Sequence, residues 1–84
     1  MIIQASEFEL NMKVLEISNE PIELYKILKI EGMVSSGGAA KIEIGEGNVL
    51  VNGVVETRKR KKIVSGDIVE YRSEKVRIKL MSTS

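Results

Sequence analysis

Ser36-Gly37-Gly38-Ala39-Ala40-Lys41 and, a few residues on, Val49-Leu50-Val51-Asn52-Gly53-Val54-Val55 decide how this chain folds. Ser36 is a natural helix N-cap, because its hydroxyl oxygen can accept from an unpaired N–H of the first turn. A short helix is expected from Gly37 to about Glu46. Gly38, Ala39 and Ala40 are small enough to let it approach a neighbour closely, and Gly45 and Gly47 close it. Val49-Leu50-Val51 then reads as a strand. Asn52-Gly53 is the strongest short-range hairpin signal, since a type I′ turn needs two residues that tolerate positive φ. Val54 to Thr57 returns as the partner strand.

Working outward, Ser18-Asn19-Glu20-Pro21 reads as a turn and a helix start, with Pro21 suited to the first helical position. This helix is expected from Pro21 to about Ile30. Ile22, Leu24, Tyr25, Ile27 and Leu28 form its apolar stripe, and Gly32 ends it. Upstream, Phe8 to Val14 alternates apolar and polar residues, the period of a half-buried strand that can run on to Ile17. Downstream, Ser65-Gly66-Asp67 is a turn, Ile68 to Tyr71 and Val76 to Leu80 are strands, and Met81 to Ser84 is a frayed tail. The order of elements predicts an α+β fold. Two short helices pack on one face of a small, mainly antiparallel sheet, with an additional N-terminal strand at 8–17. With 84 residues, positions 1–84 make a single domain.

Composition narrows the chemistry. The chain has no cysteine and no histidine. Disulfides, thiolate metal sites, the commonest general base and the usual zinc ligand are thus all missing. Glu43 with Glu46, and Glu20 with Glu23, are three apart and read as helix-surface charges. No enzyme activity, cofactor or metal is expected. The N-terminus lacks the pattern of a signal peptide and no apolar run approaches membrane-spanning length, so a cytoplasmic protein without membrane contact is expected.

The net charge of +1 conceals a strong asymmetry. Residues 1–57 hold four lysines against nine glutamates, whereas residues 58–84 hold nine Lys or Arg against three carboxylates. Five consecutive cations, Arg58-Lys59-Arg60-Lys61-Lys62, head the basic part. None can enter a core, so the run is a loop or an exposed edge, and such a surface commonly faces a polyanion. If extended, it would turn Arg58, Arg60 and Lys62 one way and Lys59 and Lys61 the other. The Ser36-Gly37-Gly38 helix entry, with Lys41 one turn in, has two readings: capping with close packing, or a phosphate contact at open N–H groups. Asn52 is satisfied as a turn residue, and can also touch a nucleic-acid backbone if the turn lies beside the basic loop. Phe8, Tyr25 and Tyr71 have the pattern of core residues, and no stacking platform can be assembled from them.

Taken together, the serine-led helix with Ala40 and Lys41, then Gly47, Val49, Val51-Asn52-Gly53, and later Gly66-Asp67 with Ile68, resemble a known family. It is the RNA-binding domain named after small-subunit ribosomal protein S-four, also called the alpha-L RNA-binding motif. The resemblance spans about Ile22 to Tyr71, a core at 22–71, and is closest to small stand-alone bacterial members, some of which share a stretch like Glu56-Thr57-Arg58-Lys59-Arg60. The broader family often has arginine where Gly37 stands, and here the later basic run would take its place. The resemblance implies a non-catalytic protein that docks on structured RNA, and a monomer is expected. Ribosomal RNA is the implied target, during assembly or on a ribosomal particle. RNA-binding residues would be Ser36, Gly37, Lys41, Asn52, Arg58, Lys59, Arg60, Lys61 and Lys62, joined by Lys26 and Lys29. The alternative is a protein-interaction module whose basic patch binds an acidic partner.

Overall fold

The structure, a computed structural model, describes residues 12–82. Its elements in chain order are β1 (Met12–Ile17), β2 (Ile22–Glu23), α1 (Leu24–Ile30), α2 (Gly37–Gly45), β3 (Val49–Val51), β4 (Val54–Val55), β5 (Lys62–Ile63), β6 (Ile68–Tyr71) and β7 (Glu74–Leu80). Five strands form one sheet in the order β1-β7-β6-β3-β4, and β2 and β5 form a separate two-stranded ladder. Neighbours from β7 to β4 are antiparallel, whereas β1 lies parallel to β7, with Leu15 beside Ile78. The expected α+β architecture with its additional N-terminal strand is thus present. Residues 8–11 of that strand, with the aromatic Phe8, lie outside the described residues, as do positions 83–84 of the tail.

Local sequence explains the second helix and the hairpin. The Ser36 hydroxyl accepts from the Ala39 N–H at 3.0 Å, so the cap is realised as read. Both helices end in the same way. After α1, Gly32 at φ 72 donates to Lys29 and Met33 donates to Leu28. After α2, Gly47 at φ 82 donates to Ile44 and Asn48 donates to Glu43. These are Schellman motifs, which satisfy the last carbonyls and place glycine where the backbone turns left-handed. Asn52 and Gly53 adopt φ 53 and 83, as a type I′ turn requires.

The first helix starts later than the sequence suggests. Pro21 is not its first residue: Ile22 and Glu23 pair with Ile63 and Lys62 instead, and the helix begins at Leu24. A ladder with a distant partner holds Glu23 extended, at φ −75 and ψ 140, where an isolated chain would continue helical. Smaller differences follow the same logic. β4 ends at Val55, although Glu56 still donates to Val49, and β7 begins at Glu74, after a tight turn with Arg72 at φ 58.

One core lies between helices and sheet. Leu24, Ile27 and Leu28 of α1 and Ala40 and Ile44 of α2 meet the inward residues of the sheet. Ile63 of β5 is fully buried in the same cluster, which pins the end of the basic run to the core. Each aliphatic side chain so buried contributes about 1.5–3 kcal/mol. Among the described residues no polar or charged side chain is buried.

Candidate nucleic-acid interface

The basic run is neither straight nor free. Lys61 donates to the Arg58 carbonyl at 3.2 Å, which closes a turn in the middle of it. The alternation expected for an extended run therefore does not hold. The backbone of the run instead docks on the start of α1. The Leu24 N–H donates to Lys61 at 2.9 Å and the Tyr25 N–H donates to Lys59 at 3.1 Å. The first N–H groups of a helix lack intrahelical partners. Here carbonyls of the basic loop supply them, and the loop's charged side chains are left to point outward.

Tyr25 lies at the centre of the result. It is partly buried against the core rather than enclosed in it. Lys41 Nζ stands 4.5 Å from its ring centroid, the Arg60 guanidinium carbon 5.3 Å and Lys26 Nζ 6.0 Å. Cations gather over an aromatic face because the ring quadrupole is negative there. Reading Tyr25 as a plain core residue is corrected by this geometry, whereas Tyr71 is buried as read. The signal was present but easily passed over: Tyr25 is the one aromatic on an otherwise aliphatic stripe, with lysines next to it and four residues on. Gly37 at the start of α2 lies beside the ring, where a Cβ would be in ordinary van der Waals contact with Tyr25 Cε2 at 3.5 Å.

Two carboxylates temper this cluster. Glu23 Oε1 is 3.3 Å from Arg60 Nη1 and 3.9 Å from Lys26 Nζ. Glu56 is bidentate to Arg58, at 2.9 and 3.0 Å, and also accepts from the Arg58 backbone N–H at 2.9 Å. Hydrogen bonds from the Arg58 side chain and backbone hold the Glu56 carboxyl at about 2, below its usual 4.5, and Glu56 pushes Arg58 up in turn. A depressed carboxyl stabilises the fold above its ordinary pKa, and this is lost as pH falls from about 4.5 to about 2. Glu56→Gln should therefore lower the melting temperature at pH 7 by at most about 8 °C, the span an exposed pair allows in a small domain. Thermal melts should show that difference shrinking between pH 4.5 and 2. A constant difference across that window would mean the pair does not carry it.

Lys29, Lys41, Lys59, Lys61 and Lys62 make no ion pair among the described residues. The structure thus gathers Lys26, Lys41 and Arg60 at Tyr25, sets the backbone of the run 58–62 against the start of α1, and leaves Lys29 in the last turn of that helix, beside Gly37 in the lining of one depression. Arg58, Arg60, Lys61 and Lys62 line a shallow cleft, and Lys59 lies along the open face of Gly45, 3.2 Å from where a Cβ would stand. Ser36 enters as the cap of α2, with its hydroxyl engaged. Asn52 is placed elsewhere. Its side chain donates to Asp67 at 3.0 Å and accepts from the Ile68 N–H at 2.9 Å, which ties the hairpin turn to the 65–67 turn. It borders a groove with Met12, Gly53, Ile68, Glu70 and Lys75.

Among the described residues no group of three or more carboxylates could hold a metal, and no helix is long and apolar enough to cross a membrane. Comparison with known proteins agrees with the geometry. YbcJ of Escherichia coli (strain K12), named provisionally as an RNA-binding protein, is 51% identical over 57 residues, 68% of this chain and 81% of YbcJ. A Bacillus subtilis (strain 168) protein, named provisionally as the ribosome maturation protein RlbA, is 39% identical over 56 residues, 67% of this chain and 79% of RlbA. The solution structure of E. coli YbcJ, described as revealing an αL motif involved in RNA binding, superposes with a TM-score of 0.62. That match has 42% identity and covers 94% of this chain and 96% of YbcJ. The S4 domain matches residues 15–79, so the capped second helix, the Asn-Gly hairpin and the sheet behind them mark this chain as belonging to the S4 domain family.

Proposed function

We propose that this protein is a non-catalytic RNA-binding protein that docks on structured RNA, specifically ribosomal RNA during assembly or on a ribosomal particle. One observation carries the reading: Lys26, Lys41 and Arg60 gather at Tyr25, Lys29 borders the same depression as Lys26, and Arg58, Arg60, Lys61 and Lys62 line one cleft, with Glu23 and Glu56 the only carboxylates paired against them among the described residues. That much like charge is stable beside an anion such as a phosphate backbone. The other basic stripe of the molecule lacks this property. On β7, Lys75 stands opposite Glu70 and Lys79 beside Glu16, which leaves Arg77, between Val14 and Ile68, as the one cation of that stripe without a cross-strand carboxylate.

In this reading Lys41 and the run 58–62 neutralise phosphates, and Lys26 and Lys29 extend the track along α1. The cap residues Ser36 and Gly37 set α2 so that its N-terminal dipole end faces the same backbone. Asn52 holds the hairpin in place and reaches RNA only if the target wraps past the 65–67 turn. Clustered cations suit structured RNA, which is recognised largely through shape, 2′-hydroxyls and phosphates. The names of YbcJ and RlbA point the same way. Crosslinking in cells followed by sequencing of the bound RNA tests it. One structured ribosomal segment should dominate the recovered RNA. Enrichment of messenger or transfer RNA would sink the ribosomal part, and recovery of no RNA would favour an acidic protein partner.

A further inference from the structure

Between α1 and the first residues of α2 lies an open depression of about 330 Å³, lined by Tyr25, Lys26, Lys29, Ile30 and Gly37. Its size is at the small end of ligand pockets, about 300–1,000 Å³. Its lining mixes two chemistries, and phosphate binding needs only one of them. Lys26 and Lys29 supply charge. Tyr25 and Ile30 supply apolar surface, and Ile30 is 57% exposed directly beside the basic face. An isoleucine gives a phosphate oxygen nothing to bind, and it leaves apolar area in water amid the lysines. Gly37 lines the depression with bare backbone, next to the Tyr25 ring.

We propose that this depression is a subsite for one unpaired nucleotide, with its base against Tyr25 and Ile30 and its phosphates among Lys26, Lys29 and Lys41. This rests on the RNA reading above and extends it from the backbone to a base. The charge selects the occupant. A neutral apolar ligand would leave the surrounding cations uncompensated, whereas a nucleotide carries a flat apolar face and its anion on one unit. Lys41 already lies over the Tyr25 ring, 4.5 Å from its centroid, so a base seated against Ile30 and the side of that ring facing the depression would carry its phosphate beside this ammonium. Only an unpaired base can enter, because a base inside an A-form stem has both faces covered by its neighbours. The subsite would therefore read the presence of a bulge or loop nucleotide next to a stem. Its base identity would matter little, since every base offers a π-face.

The test uses the full chain and two fluorescein-labelled RNA hairpins with the same A-form stem of about one helical turn. One is fully paired, and the other carries a single bulged nucleotide, made in turn with each of the four bases. The wild type should bind the bulged hairpins about tenfold more tightly. Ile30→Ser should erase that preference and leave affinity for the paired hairpin, and its salt dependence, unchanged. Because Ile30 is exposed, the variant should melt with the wild type, which separates binding from folding. Tyr25→Phe should keep the preference. Equal wild-type affinity for both hairpins, or a preference that survives Ile30→Ser, would overturn the subsite while leaving the RNA reading intact. Failure of the wild type to bind any hairpin overturns both, and binding of an acidic peptide in its place would assign the face to a protein.

Discussion

Changing Arg58, Arg60 and Lys62 together to glutamate should reduce affinity for a structured RNA by about 100-fold or more at roughly 0.1 M salt. The expectation follows from electrostatics at this one face. If about four to six phosphates are neutralised, the wild type should lose affinity with a log–log salt slope near −3 to −5. Removing three cations should flatten the slope by about two to three units, and adding three negative charges should weaken binding further. The fold should persist. The variant loses the Glu56–Arg58 and Glu23–Arg60 pairs and should melt somewhat lower, but all three side chains are exposed and the loop keeps its backbone bonds to the Leu24 and Tyr25 N–H groups and the buried Ile63. Replacing the same three with glutamine should give an intermediate affinity. A reversal variant that binds RNA like the wild type, or a wild type indifferent to salt, would remove the basic run from the interface.

The second large effect is expected at a residue that no ligand touches. Ile63→Ala should cost about 2–5 kcal/mol of stability, the usual cost of emptying a buried isoleucine site. The melting temperature should fall by at least roughly 8 °C. Ile63 ends the basic run and is fully buried, and its strand partner is Ile22, just ahead of α1. The substitution should therefore also loosen the loop, lowering RNA affinity on the order of tenfold through the cost of ordering it on binding. Val69→Ala provides the contrast. Val69 is equally buried, but in β6 of the main sheet. It should lose stability and keep its affinity, with both measured well below their melting points. Equal loss of affinity in both variants would show a general effect of destabilisation, and no special tie at Ile63.

What could be read from sequence was what the chain decides locally. Ser36 caps α2 wherever the helix lies, and Asn52-Gly53 turns the hairpin through its own backbone preferences. Gly32 and Gly47 end helices because they alone accept the left-handed turn without strain. The alternating strands follow from having one buried face. What could not be read depended on distant partners. Pro21 has every local mark of a helix start, yet Ile22 and Glu23 pair with β5 and delay the helix to Leu24. The same pairing makes a strand of Lys62 and Ile63, which nothing local announces. The basic run was legible as exposed charge, but the turn that folds Arg60 toward Tyr25 was not. Asn52 was legible as a turn residue, but the engagement of its amide by Asp67 and Ile68 was not. The site was thus legible as composition, and its centre became visible only once α1, α2 and the loop were set side by side.

The way the loop caps α1 bears on how the site moves. A helix usually begins with a local cap and can form its first turn alone. Here the amides of Leu24 and Tyr25 find their carbonyls on Lys61 and Lys59, far along the chain. The first turn of the helix and the basic loop must then open together, as one cooperative unit whose fluctuations expose both. Amide hydrogen exchange at Leu24 and Tyr25 becomes a direct gauge of loop opening. A ligand that clamps the loop from outside would slow exchange at two backbone groups it never contacts.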